Sequence, residues 1–97
     1  MVIISKRILK EYILSNPGAE DALLRWYAIA KAADWKNFSE LKNVFRSADA
    51  VGNDLYVFNL SGNKYRLIVR IIFRARTIFV RFIGTHKAYD DVDLTKL

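Results

Sequence analysis

From Tyr65 to Arg74 the chain alternates so regularly that only a strand accommodates it. Tyr65, Leu67, Val69, Ile71 and Phe73 project to one side, and Arg66, Ile68, Arg70, Ile72 and Arg74 to the other. The first set is wholly apolar and must meet a core. The second carries arginines and reads as a more open face. Leu55–Leu60 and Ile78–Ile83 have the same β-branched and aromatic character. Ser61-Gly62-Asn63-Lys64 and Arg74-Ala75-Arg76-Thr77 separate the three runs as hairpin turns, which predicts three antiparallel strands. In the last strand Val80 and Phe82 are expected on the core side, with Phe79, Arg81 and Ile83 opposite. Arg66, Arg70 and Arg81 would then share the open face.

The sequence before Asp49 follows a helical period. Val2–Ile4 suits a short strand, and Ser5 is the expected N-cap of a helix from Lys6 to about Leu14. Asn16-Pro17-Gly18 ends that helix, because a residue before proline avoids helical angles. A second helix is predicted from about Ala19 to Ala33, with Glu20 and Asp21 in its first turn and Leu23, Trp26, Tyr27 and Ala30 facing the core. Ser39 is expected to cap a short third helix through Phe45. Helices followed by strands indicate one α+β domain spanning residues 1–97, its N-terminal helices packed on one face of a small, mainly antiparallel C-terminal sheet.

Charge narrows the function. The chain of 97 residues has a net charge of +6 and, at 53% hydrophobic, can bury a core. Between Leu55 and Tyr89 stand Lys64, Arg66, Arg70, Arg74, Arg76, Arg81 and Lys87, with no acidic residue. A field of one sign attracts a polyanion, so nucleic acid, a ribosome or an acidic protein is the expected partner. With no cysteine and one histidine, thiolate and clustered-histidine metal sites are not expected, nor is any cofactor. Arginines interrupt the most apolar stretch, and Ser5-Lys6-Arg7 follows Ile3-Ile4 at once. Neither a membrane span nor a signal peptide is therefore expected, and the cytoplasm is the expected location.

Two segments carry a family resemblance. Asn59-Leu60-Ser61-Gly62-Asn63-Lys64-Tyr65-Arg66-Leu67 and Arg81-Phe82-Ile83-Gly84-Thr85-His86-Lys87-Ala88-Tyr89-Asp90 resemble the signature segments of HigB toxins, in the RelE/ParE-like superfamily of bacterial toxin–antitoxin systems. Ala33-Asp34-Trp35, Phe45-Arg46-Ser47-Ala48-Asp49 and Val57-Phe58-Asn59 extend the likeness over nearly the whole chain. The resemblance implies an endoribonuclease acting on translated mRNA in the ribosome. It also implies a helix-turn-helix antitoxin of HigA type, which neutralises the toxin and represses the shared operon, so that DNA is met only through the antitoxin complex.

RNA cleavage requires no protein nucleophile, since the 2′-OH attacks the adjacent phosphorus. The enzyme positions that oxygen, moves protons and stabilises charge. His86 is the candidate acid or base, because histidine exchanges protons near neutral pH. Arg66 and Arg81 are candidates for the scissile phosphate, which a guanidinium holds with two hydrogen bonds; solvated charge or pairing with Asp49, Asp54 or Asp90 is the simpler alternative. Tyr89 suits base stacking or proton transfer as well as core closure, and Asp90 suits a turn better than orienting His86. Lys64, Arg70, Arg74, Arg76 and Lys87 are expected to guide the RNA backbone. Two other functions keep the same residues: a ParE-like toxin acting on DNA gyrase, and a non-catalytic RNA-binding module.

Overall fold

The computed structural model describes residues 1–97. In chain order the elements are β1 (Val2–Ile4), α1 (Lys6–Ser15), α2 (Glu20–Ala32), α3 (Phe38–Val44), β2 (Asp49–Gly52), β3 (Leu55–Leu60), β4 (Tyr65–Ile72), β5 (Thr77–Thr85) and α4 (His86–Asp90). Five strands form one sheet in the order β1-β5-β4-β3-β2. All neighbours are antiparallel except β1, which lies parallel to β5. The α+β architecture read from the sequence is the one observed.

The three helices before β2 cover one face of the sheet. Leu9, Leu23, Trp26, Ala30 and Leu41 pack on Phe58, Leu67, Val69, Ile71, Ile78 and Val80. Tyr27, expected in this core, is only partly buried at its margin. The apolar stripe of Tyr65–Phe73 thus meets the helices as its alternation requires.

Two caps differ from expectation. Ser5 makes no side-chain cap: its φ of 73° is left-handed, whereas a capping side chain needs an extended backbone. Asn37, not Ser39, caps α3 by accepting from the Glu40 N–H at 3.0 Å, and Glu40 Oε1 accepts from the Lys36 N–H at 3.0 Å. These reciprocal bonds start the helix at Phe38, ahead of the predicted point.

β2 is an added strand at the edge, paired to β3 through a tight turn in which Gly52, Asn53 and Asp54 all have positive φ. A larger departure lies in β5. Val69 pairs with Val80 and Ile68 with Phe82, so Arg81 is the extra residue of a β-bulge. The bulge reverses the alternation after Val80. Ile83 enters the helix-side core and Phe82 turns to the opposite face, the reverse of the expectation.

That opposite face is also less open than the arginines suggested. After α4 the chain returns across it, and Tyr89, Val92, Leu94 and Leu97 pack on Leu55, Val57 and Ile68. No helix of the molecule is long and apolar enough to cross a membrane.

Candidate active site

The candidate site lies where β4 begins and β5 ends. Asn59, Arg66 and Gly84 stand side by side on β3, β4 and β5, all on the face away from α1–α3. Arg66 is the one charged residue of the chain that is buried, at 9% exposed. Its Nη1 donates to the Asn63 carbonyl at 2.9 Å and more weakly to that of Tyr65 at 3.4 Å. The turn makes the first bond possible: Ser61, Gly62 and Asn63 all adopt positive φ, which bends the chain back over β4.

The β5–α4 junction adds the other groups. Thr85 Oγ1 caps α4 by accepting from the Ala88 N–H at 3.1 Å. The His86 N–H donates to the Lys64 carbonyl at 3.2 Å, which extends the β4–β5 ladder by one bond and ties the helix start to the turn. The side chain of His86, the first residue of α4, is exposed. Tyr89 lies one helical turn on, on the same side of α4. Its ring centroid is 6.0 Å from the Arg66 guanidinium, within reach of a cation–π contact. Gly84 leaves room for this arrangement, because a Cβ there would stand 2.6 Å from Phe82 Cζ and 3.3 Å from Ala88 Cβ.

The structure therefore brings Lys64, Arg66, His86, Lys87 and Tyr89 to one end of the sheet. Lys64, Arg66 and Lys87 have no carboxylate partner; the ion pairs are Arg7–Glu11, Lys42–Asp49, Arg76–Asp34 and Lys96–Asp93. Asp90 makes no hydrogen bond to His86; it ends the short helix. No group of three His, Asp or Glu side chains stands where it could hold a metal ion. None of the molecule's clefts is lined by Arg66, His86 or Tyr89; Arg66 is buried beside the half-buried Tyr89, and His86 is exposed.

The remaining arginines stand apart. Arg81 is exposed on the bulge, about 16 Å along β5 from His86 at the usual strand rise, with its guanidinium 5.7 Å from the Phe79 ring. Arg70 lies about 13 Å along β4 from Arg66 and donates to the Asn53 carbonyl and to the Leu97 main-chain oxygen. Arg74 and Arg76 belong to the turn at the far end of the β4–β5 hairpin, about 25 Å from His86. Arg76 is tied to Asp34 at 2.5 Å and to the Phe73 carbonyl at 2.9 Å.

Three further positions shape the site without a signal in charge or alternation. Asn59 stands beside Arg66 with its amide weakly bonded to the Ser47 carbonyl at 3.5 Å. Thr85 and Gly84 build the turn into α4. Thr85 three residues before Ala88, at the end of an apolar strand, is the capping signal that could have located it.

A toxin-family model, described as the RelE-like toxic component of a toxin–antitoxin system, matches residues 19–92. The chain belongs to the HigB toxin family. Its relatives include an mRNA interferase HigB of Escherichia coli O6:H1, 33% identical over 92 residues that cover 93% of this chain and 89% of the relative. An mRNA interferase toxin HigB of Escherichia coli K12 is 29% identical, covering 93% of this chain and 88% of its own length. The mRNA interferase HigB of Shigella flexneri matches to the same extent. The match includes every HigB-like segment quoted from Ala33 onward and ends just beyond α4. This HigB-family chain is thus a toxin component, with Arg66, His86 and Tyr89 inside the matched region.

Proposed function

We propose that the chain is an mRNA interferase that cuts RNA at the end of β4 and β5. One observation carries the reading: a buried guanidinium with no carboxylate partner, Arg66, lies under Tyr89 and close to the exposed His86. Burying a charge without an opposite charge is costly, so such a site favours an arriving phosphate.

Arg66 holds the scissile phosphate and stabilises its charge as the phosphorus becomes five-coordinate. His86 serves in proton transfer. The 2′-O–P bond forms as the 2′ proton leaves to a base, and the P–O5′ bond breaks as the leaving oxygen gains a proton. The products are a 2′,3′-cyclic phosphate and a free 5′-OH. Tyr89 stacks on a neighbouring base or assists the proton, and Lys64 and Lys87 hold the flanking phosphates. Arg81 follows the RNA backbone farther along β5, and the reaction uses no metal. The substrate is translated message on the ribosome, in the cytoplasm, and a helix-turn-helix antitoxin is the partner that silences the toxin.

The test is primer-extension mapping of messages with and without ribosomes, in excess chelator. His86→Gln should lose at least about 10²-fold in cleavage while keeping its melting temperature. Arg81→Ala and Lys87→Ala should each flatten the salt dependence of RNA binding by a slope of about 0.7. Wild-type cleavage by folded His86→Gln would remove the histidine from the mechanism. Growth arrest with intact messages would instead point to the gyrase-directed branch.

A further inference from the structure

We propose that Arg70 is a positioning residue: it latches the C-terminal segment across the sheet and so holds the helix that carries His86 and Tyr89. The catalytic half of this inference rests on the functional reading above; the latch itself does not.

Alternation alone makes Arg66 and Arg70 equivalent, on one strand and one face. Their hydrogen bonds separate them. Arg70 Nη1 donates to the Asn53 carbonyl at 2.7 Å, in the β2–β3 turn, and Nη2 donates to the Leu97 main-chain oxygen at 3.1 Å. Arg66 bonds carbonyls through Nη1 alone and keeps Nη2 and Nε for another partner, whereas both terminal nitrogens of Arg70 are engaged. Between the two arginines lies Ile68, fully buried at 0% exposed, with Phe82 beside it on β5 and the returning chain packed against the same cluster. An RNA strand gripping both arginines along β4 would first have to lift that segment.

The returning segment has little else to hold it. α4 has 5 residues, too few to persist on helical propensity alone. Beyond it, Val92, Leu94 and Leu97 pack on a cluster of only 3 buried residues. Arg70 grips the far end of this segment, Thr85 caps the near end, and His86 and Tyr89 lie between. Charge-assisted bonds to main-chain oxygens are stronger than neutral ones, so one guanidinium suffices to bias the segment toward the docked state.

His86 is the chain's only histidine, and its imidazole NMR signal therefore reports on α4 without ambiguity. Arg70→Ala should shift or broaden that signal. Exchange of the Ala88, Asp91 and Val92 amides should accelerate roughly 10- to 100-fold, the size of losing a charge-assisted bond, while β4–β5 amides stay protected. Single-turnover cleavage at saturating RNA should fall by a similar factor, and the salt slope of binding should not change. Arg70→Lys should restore part of each. Leu94→Ala, which loosens the same segment without touching a charge, should move the His86 signal alike, and the double variant should add little. An unchanged His86 signal and unchanged exchange in Arg70→Ala would overturn the latch, above all if the salt slope flattened instead. If the wild-type protein cuts no RNA, the functional reading fails while the exchange and histidine signals still decide the latch.

Discussion

The two faces of one sheet are built to different ends. On the helix side, 17 buried residues form a continuous core. On the other side the buried cluster has 3 residues, with a buried arginine at one end and a half-buried one at the other. Leu67 and Arg66 are neighbours on β4, yet one is sealed among apolar side chains and the other is a buried charge bonded to the Asn63 carbonyl with no carboxylate partner. The thick face supplies stability, and the thin face tolerates groups that stability would not select.

The largest test of this contrast compares truncations on the two sides. Leu67→Ala should cost about 2–5 kcal/mol by transfer and cavity terms, measured from denaturant unfolding. Leu94→Ala, half-exposed on the thin side, should cost about 1 kcal/mol or less. Equal losses would mean that both faces carry the fold.

A smaller effect is expected where the faces meet the site. Gly84→Ala puts a methyl group into Phe82 and against Ala88, an overpacking worth about 1–3 kcal/mol. The clash must displace the Phe82 ring or α4 itself, so cleavage should fall more than stability explains. An unchanged melting temperature and rate would show that Phe82 swings aside freely and that Gly84 positions nothing.

These contrasts mark how far the sequence was legible. The thick face was readable because its signals are periodic: Tyr65–Phe73 alternates, and Leu23, Trp26 and Ala30 repeat at helical spacing. The thin face was not, because what shapes it is non-periodic. One bulged residue, Arg81, exchanges the sides of Phe82 and Ile83. Val92, Leu94 and Leu97 are too sparse to signal a covering segment, and nothing local distinguishes Arg70 from Arg66. The cluster of Lys64, Arg66, His86 and Tyr89 was legible in composition and family likeness. Its separation from Arg74 and Arg76 depends on hairpin length, and the pairing of Arg76 with Asp34 depends on a tertiary contact.

Arg66→Met sharpens the comparison in the opposite direction. Methionine fills a similar volume without a charge to desolvate, which offsets the lost bond to the Asn63 carbonyl, so stability should change by no more than about 1 kcal/mol. Cleavage should fall at least about 10²-fold if Arg66 is the donor to the phosphate that we propose. Stability and activity moving together would instead assign Arg66 a structural role.

The smallest expected effect belongs to the thick face at alkaline pH. Burial raises the Tyr12 hydroxyl above the ordinary 10.0, and the nearby Tyr65 adds to it. Burial likewise raises Tyr56 above 10.0, with Asp54 contributing. Both rings belong to the helix side, Tyr12 edge-on to Tyr65 at 6.1 Å and Tyr56 against Phe38 at 5.3 Å. A raised folded value means that the folded chain keeps its proton after the unfolded chain has lost it. The resulting stabilisation is complete below pH 10, and it is lost as pH rises through the folded values. Urea midpoints at pH 8 and above pH 10 should therefore differ less in Tyr12→Phe/Tyr56→Phe than in the wild type. Lysines titrating in the same range affect both proteins and cancel in the difference. An equal alkaline loss in the double variant would show that ionisation of these two phenols does not weaken the helix side.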